Sequence, residues 1–376
     1  MRRNKRRNKL LSVLLFLVIA MIVFNRNALY HQVKSFIGFG SLQLYEVKTV
    51  ELSYDLDEGV VPRLALVGLN PVAIIDSKIT LYSDSGEAKW QIGSELDDVI
   101  FAGNDNFFAV ADQIKGNVVA YDYRGEVTAS LFGEGEIEDL LVSEEGYIII
   151  RKKGNKLVEI YDPKLNHIGS LKVNSGEIVK MKMAEINSTL FVATLSIEEE
   201  NINGYLYKFD TDGNLIGSIQ FPNELILDFH VEGNMFVVVT DHDIRTYSLE
   251  MEELEVVNSL GDIDLIAYED AIVVNQTYDN KSEINEENTD FDIIAFDLSK
   301  NEVVYNHQLE SQYNELLFFK EYLLGYNNNE LVIFDEKGEC VETFDLTREV
   351  ISIKSIDNHY LLMMGLDYFS VFELKH

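Results

Sequence analysis

The 376-residue chain predicts an all-β fold, a β-propeller of four-stranded blades, preceded by one N-terminal transmembrane helix. Three observations predict it. An aromatic-Asp turn recurs about every forty residues, short apolar-alternating runs fill the intervals, and one uncharged apolar run comes after a basic cluster at the start.

The turn is clearest at Tyr121-Asp122 with Gly125, at Phe209-Asp210 with Gly213 and at Phe334-Asp335 with Gly338. Tyr161-Asp162 and Phe296-Asp297 keep the strand and the Asp but lose the Gly, and looser copies end at Tyr82, Tyr247 and Phe372. The aromatic positions are spaced by 39, 40, 48, 38, 49, 38 and 38 residues. An Asp there accepts hydrogen bonds from the turn amides, and Gly supplies the positive φ of a tight hairpin. Each copy is preceded by two further alternating runs, such as 99–101 and 107–110, and followed by one, such as 126–131. Four short strands per roughly forty residues is the arithmetic of a propeller blade.

The eight copies predict eight blades, or seven if the weakest internal copy, 244–247, is not a full sheet. The last copy ends at His376 without a fourth strand, while the strand-like segment 42–52 has no blade of its own. Supplying the missing strand from that segment would close the ring and leave no long open edge.

The two long steps come from inserts at 195–204 and 275–291. Both fall between the second and third strands of their blades, on the face that carries the blade-to-blade links. Inserts in a repeat array collect on one face, often the binding face. Glu198, Glu199, Glu200, Asp279, Glu283, Glu286, Glu287 and Asp290 are therefore the candidate partner-loop residues, with mobile acidic loops as the plainer reading.

Six of the first nine residues are Lys or Arg, and 10–24 carry no charge. The positive-inside rule holds such a start in the cytoplasm and exports the remainder of the chain. We read 1–9 as a basic cytoplasmic stub, 10–24 as a transmembrane anchor, 25–41 as a juxtamembrane stalk and 42–376 as the propeller. A cleaved signal peptide is the competing reading, because the run is short for a span. No small-x-small pair stands after the run, and this favours the anchor.

The whole chain carries −33. Beyond the stub, 25 Lys and Arg face 64 Asp and Glu, a formal charge of −39. Such a head is repelled by nucleic acid and by anionic lipid headgroups. Cys340 is the sole cysteine, so no intrachain disulfide forms, which fits a bacterial surface better than a eukaryotic secretory pathway.

On these turns the chain resembles the PQQ-like and WD40-like propeller superfamily over about 42–376, and within it bacterial membrane-anchored propellers of unassigned function. The resemblance implies a fold rather than an activity. Quinoprotein dehydrogenases of this architecture dock a Trp four residues after the turn Gly. Here only Trp90, after Gly86, stands so; Ala129, Gly217 and Glu342 hold the other positions. Their adjacent cysteine pair is impossible with one cysteine. The turn Ser83-Asp84-Ser85-Gly86 approaches a sialidase Asp-box with its spacings off by one.

No other chemistry is spelled out. The seven histidines are scattered, with no HExxH. Asp241-His242-Asp243 reads as a turn rather than a metal site, and 210–214 begins like a calcium loop but has Phe221 at the twelfth position. The expectation is a non-enzymatic scaffold without cofactor, bound to the membrane by its N-terminal helix and to other envelope proteins by its head. The alternatives are a ligand-binding or enzymatic propeller using the central channel, and a calcium-responsive adhesion or sensor module.

Overall fold

A computed structural model describes residues 42–375 apart from short stretches, the longest being 53–62 and 280–288. The expected anchor and stalk lie outside the described residues. Among the described residues no helix is long and apolar enough to cross a membrane.

The chain forms eight four-stranded antiparallel sheets. Seven are consecutive in sequence: blade 1 is 63–93, blade 2 is 99–131, blade 3 is 137–172, blade 4 is 177–222, blade 5 is 226–258, blade 6 is 262–309 and blade 7 is 315–345. The eighth takes three strands from 352–375 and its outermost from Gln43–Glu51. Both expectations hold: there are eight blades, and the segment after the stalk completes the last. The weak copy at 244–247 is the third strand of a full sheet, Asp243–Ser248.

First strands approach first strands across the junctions between blades 1 and 2, 2 and 3, 4 and 5, 6 and 7, and 7 and 8, so they are the innermost. Each sheet buries both faces against its neighbours, which is why the second strands read as unbroken apolar runs: Phe107–Asp112 and Met235–Thr240 are buried at nearly every position. The outermost strands alternate instead, because one side meets solvent.

Separate apolar clusters stitch blade to blade. Val72, Ile79 and Leu81 of blade 1 pack with Phe108 and Val110 of blade 2. At the closure, Ala73 and Leu66 of blade 1 pack with Leu362, Met364 and Phe369 of blade 8. Full burial of a side chain such as Phe108 or Leu362 contributes roughly 1.5–3 kcal/mol. Contacts group Glu46–Glu373 into one compact unit. Outside that unit, Lys375 Nζ lies 5.5 Å from the Tyr45 ring centroid.

The closure has its own fastening. Thr49 Oγ1 and Ser370 Oγ are 2.6 Å apart. The Arg348 guanidinium lies 3.7 Å from the Tyr368 ring centroid and bonds Glu51 at 2.7 Å and Asp367 at 3.0 Å. One cation thereby ties the strand from the chain's start to the blade at its end.

Candidate functional site

Antiparallel order puts the second-to-third turns and the blade-to-blade links on one face, and the third-to-fourth turns on the other. Hydrogen bonds mark the first face. Asp241, in blade 5's second-to-third turn, accepts from the Leu225 amide of the preceding link at 2.9 Å. Thr194 Oγ1 donates to Ser175 O of the link into blade 4 at 3.0 Å.

The repeated Asp residues sit on the opposite face. Asp122 accepts from the amides of Arg124 and Glu126 at 2.9 and 3.0 Å. Asp162 does so from Lys164 and Asn166, and Asp335 from Lys337 and Glu339. Asp210 takes the Asn214 amide at 2.7 Å. Side-chain hydrogen bonds from Asn166 and Asn214 hold the Asp162 and Asp210 carboxyls below the usual range. Three residues on, Gly125, Gly213 and Gly338 have φ of +82°, +86° and +76°. Where Gly is missing, Leu165 and Met251 take the left-handed position at φ 57° and 67°. Asp297 ends its strand opposite Glu302, and its turn lies outside the described residues.

These turns lean on the previous blade. The Trp90 indole of blade 1 donates to Tyr123 O at 3.1 Å, and a Cβ on Gly125 would stand 2.9 Å from its ring. A Cβ on Gly213 would stand 2.2 Å from Ser170 O. Trp90 thus docks under its neighbour's turn once, and close backbone approach does the work at Gly213. The repeated turns are assembly joints between blades.

The described parts of both inserts are strands. Blade 4 pairs its second and third strands over nine residues, from Leu190↔Phe209 to Glu198↔Asn201, where blade 3 pairs four. Its innermost strand reaches only Leu195 and its outermost only Asn203. The rungs Ile197↔Ile202 and Glu198↔Asn201 therefore have no flanking strand. Blade 6 repeats the construction: flanking strands reach Thr277 and Phe291, and Tyr278↔Asp290 and Asp279↔Thr289 stand beyond them. Two rungs project roughly 7 Å at about 3.4 Å per residue. Ile197 and Ile202 face each other across their rung with 69 % and 44 % of their surface exposed. Of the acidic candidates, Glu198, Asp279 and Asp290 lie in these strands. Glu199, Glu200, Glu283, Glu286 and Glu287 lie outside the described residues.

The family model described as a family of unknown function (DUF5711) matches residues 42–367. The chain belongs to that family. No curated protein matches it. Among solved structures, BamB from Moraxella catarrhalis is similar with a TM-score of 0.61 at 12 % identity, covering 88 % of this chain and 100 % of that one. Sqt1 of Saccharomyces cerevisiae is similar with a TM-score of 0.62 at 12 % identity, covering 89 % and 98 %. At such identity the likeness speaks for the fold alone.

This DUF5711 propeller also holds polar groups that sequence reasoning passed over. Arg245 is half-buried between Glu224 at 2.6 Å and Asp243 at 2.8 Å, beside the 241–243 turn. Burial opposes its charge, but the two carboxylates hold its pKa above the ordinary value. Asp241 meanwhile pairs with His242 Nδ1 at 2.9 Å. The turn's carboxylates are thus engaged within the protein. Among the described residues no group of three or more His, Cys, Asp or Glu is placed to hold a metal ion.

A second group lies on the innermost strands of blades 4, 5 and 6. Lys180 Nζ and Lys182 Nζ reach Asp228 Oδ1 at 2.5 and 3.5 Å. His230 stacks on Tyr268 with ring centroids 4.7 Å apart, and Lys182 Nζ is 5.2 Å from the Tyr268 centroid. The Tyr268 hydroxyl is buried and has no hydrogen-bond partner. The faint signal in the sequence was period-two polarity, Lys180-x-Lys182 and Asp228-x-His230, within strands that otherwise bury apolar residues.

Proposed function

We propose that this chain is a non-enzymatic, membrane-anchored propeller whose extracytoplasmic head docks partner proteins of the cell envelope on its hairpin face. The observation that carries this reading is the unflanked Ile197↔Ile202 rung. Two large apolar side chains at the tip of a projecting hairpin cost solvation and contribute nothing to a core. Their backbone also offers unpaired strand edges, which a partner strand or pocket can cover. The same construction in blade 6 gives the face a second contact.

Charge narrows the partner. The head's surplus of acids and the run Glu198, Glu199, Glu200 that follows Ile197 in sequence favour a basic surface with an apolar cleft. Association should then slow as salt rises, since the Debye length falls to about 8 Å at physiological ionic strength. The basic stub and apolar run at 1–24 support the anchored reading, and the missing cysteine pair supports the non-enzymatic one.

The test is the double variant Ile197→Asp/Ile202→Asp in the full chain, crosslinked in its native envelope and recovered. The expected result is loss of a partner that the wild-type chain captures, with an unchanged unfolding transition. Recovery of the same partners in the same amounts would overturn the docking face.

A further inference from the structure

We propose that the innermost strands of blades 4, 5 and 6 bind one small oxyanion, a carboxylate or phosphate group, between Lys180, Lys182 and the Tyr268 hydroxyl. The proposal is independent of the docking face and concerns a different part of the ring.

Charge is the first argument. Lys180 and Lys182 share a single carboxylate, Asp228. Burial, followed by the nearby Lys182, pushes the His230 pKa down, so its imidazole is neutral at pH 7. Among the described residues the group therefore carries one uncompensated positive charge. A structural ion pair needs one lysine, and the second is held at a cost: burial lowers the Lys182 pKa despite Asp228, and Lys180 lowers it further. Beyond the basic stub 64 acids face 25 bases, yet among the described residues Asp228 is the one carboxylate that both lysines reach. One bound monoanion brings the group to neutrality.

Hydrogen bonding is the second argument. The Tyr268 hydroxyl is buried without a partner, and its neighbours Lys182 and His230 lie against its ring. A buried donor left unmet costs about 1–3 kcal/mol. An oxyanion oxygen between Lys182 Nζ and this hydroxyl would satisfy both. The lysines are reachable, with side chains 35 % and 32 % exposed, and an ammonium on a four-carbon stem can move to meet a ligand. Asp228, 17 % exposed, is the carboxylate both lysines already hold, and its charge repels a second negative group.

Three successive blades contribute, so the group exists only when they pack together, on the innermost strands, where propellers enclose a channel. Phe229 gives the site an apolar wall, with Lys182 Nζ 5.7 Å from its centroid. An anion bound there is shielded from the acidic exterior.

The experiment titrates the detergent-solubilised full chain by calorimetry with sodium phosphate and, separately, sodium acetate, at constant ionic strength in chloride. Saturable one-site binding of one anion is expected, and which one binds separates a phosphate from a carboxylate ligand. Lys182→Met should weaken it at least tenfold, Tyr268→Phe about tenfold, and Lys182→Arg should retain it. Unfolding transitions of each variant show that the fold persists, and Tyr268→Phe removes a single oxygen. No saturable binding of either anion, or wild-type affinity in Lys182→Met or Tyr268→Phe, would overturn the proposal.

Discussion

At the residue scale, two positions show how much one atom decides. Gly154 and Gly213 both have positive φ, +73° and +86°, but a Cβ meets nothing within 4 Å at Gly154 and stands 2.2 Å from Ser170 O at Gly213. Gly154→Ala should cost only the left-handed penalty, about 1 kcal/mol. Gly213→Ala should cost clearly more, since backbone of the previous blade must move. Urea unfolding of the two variants checks the difference. His230 makes a second prediction. Its folded pKa lies below its unfolded value of about 6.5, so the unfolded chain takes the proton first. Its contribution is intact above that pH and is lost as pH falls through the window below. His242 runs the other way, because Asp241 raises its pKa. His230→Phe keeps the stack on Tyr268 and should remove the destabilising slope below pH 6.5, read as Tm against pH. The turn Asp residues were legible in sequence because Asp before a turn Gly has a specific hydrogen-bonding use. Leu165 in a left-handed conformation was not, because nothing in its chemistry signals positive φ. Its burial at 7 % exposure offsets the strain.

At the element scale, strand grammar carried most of the fold. Alternation, turn residues and the forty-residue step located the sheets, and the spare segment at 42–52 matched the blade that lacked a strand. Spacing also located the inserts, and their described parts extend the strands where loops were the expectation. Pairing continues past the flanking strands because the hairpin's own rungs, such as Ser196↔Asn203 and Ile197↔Ile202, keep the ladder going. The closing strand yields a direct prediction. Thr49→Cys/Ser370→Cys in a Cys340→Ser background should form a disulfide, since the two hydroxyls are 2.6 Å apart. Oxidation should stabilise the head by about 2–4 kcal/mol, because the bridge closes a very long loop in the unfolded chain. A crosslink that fails to form, or that leaves denaturant stability unchanged on reduction, would place the strand elsewhere.

At the scale of the whole molecule, the fold divides the labour between two faces and a centre. One face carries the Asp turns that lock blade to blade, and the other carries two projecting hairpins. The centre gathers Lys180, Asp228 and Tyr268 from three successive blades. That last group was invisible in the sequence, because forty or more residues separate each contribution and only the packing of successive blades unites them. The hairpin face is the functional claim, and site-specific photocrosslinking tests it most directly. A photoreactive residue at position 202 samples the hairpin tip, and one at 164 samples the opposite face, where Lys164 is exposed in the Asp162 turn. In intact cells expressing the full chain, the account predicts a discrete adduct to an envelope protein from 202 and none from 164. Equal adducts from both faces, or none from 202, would contradict it.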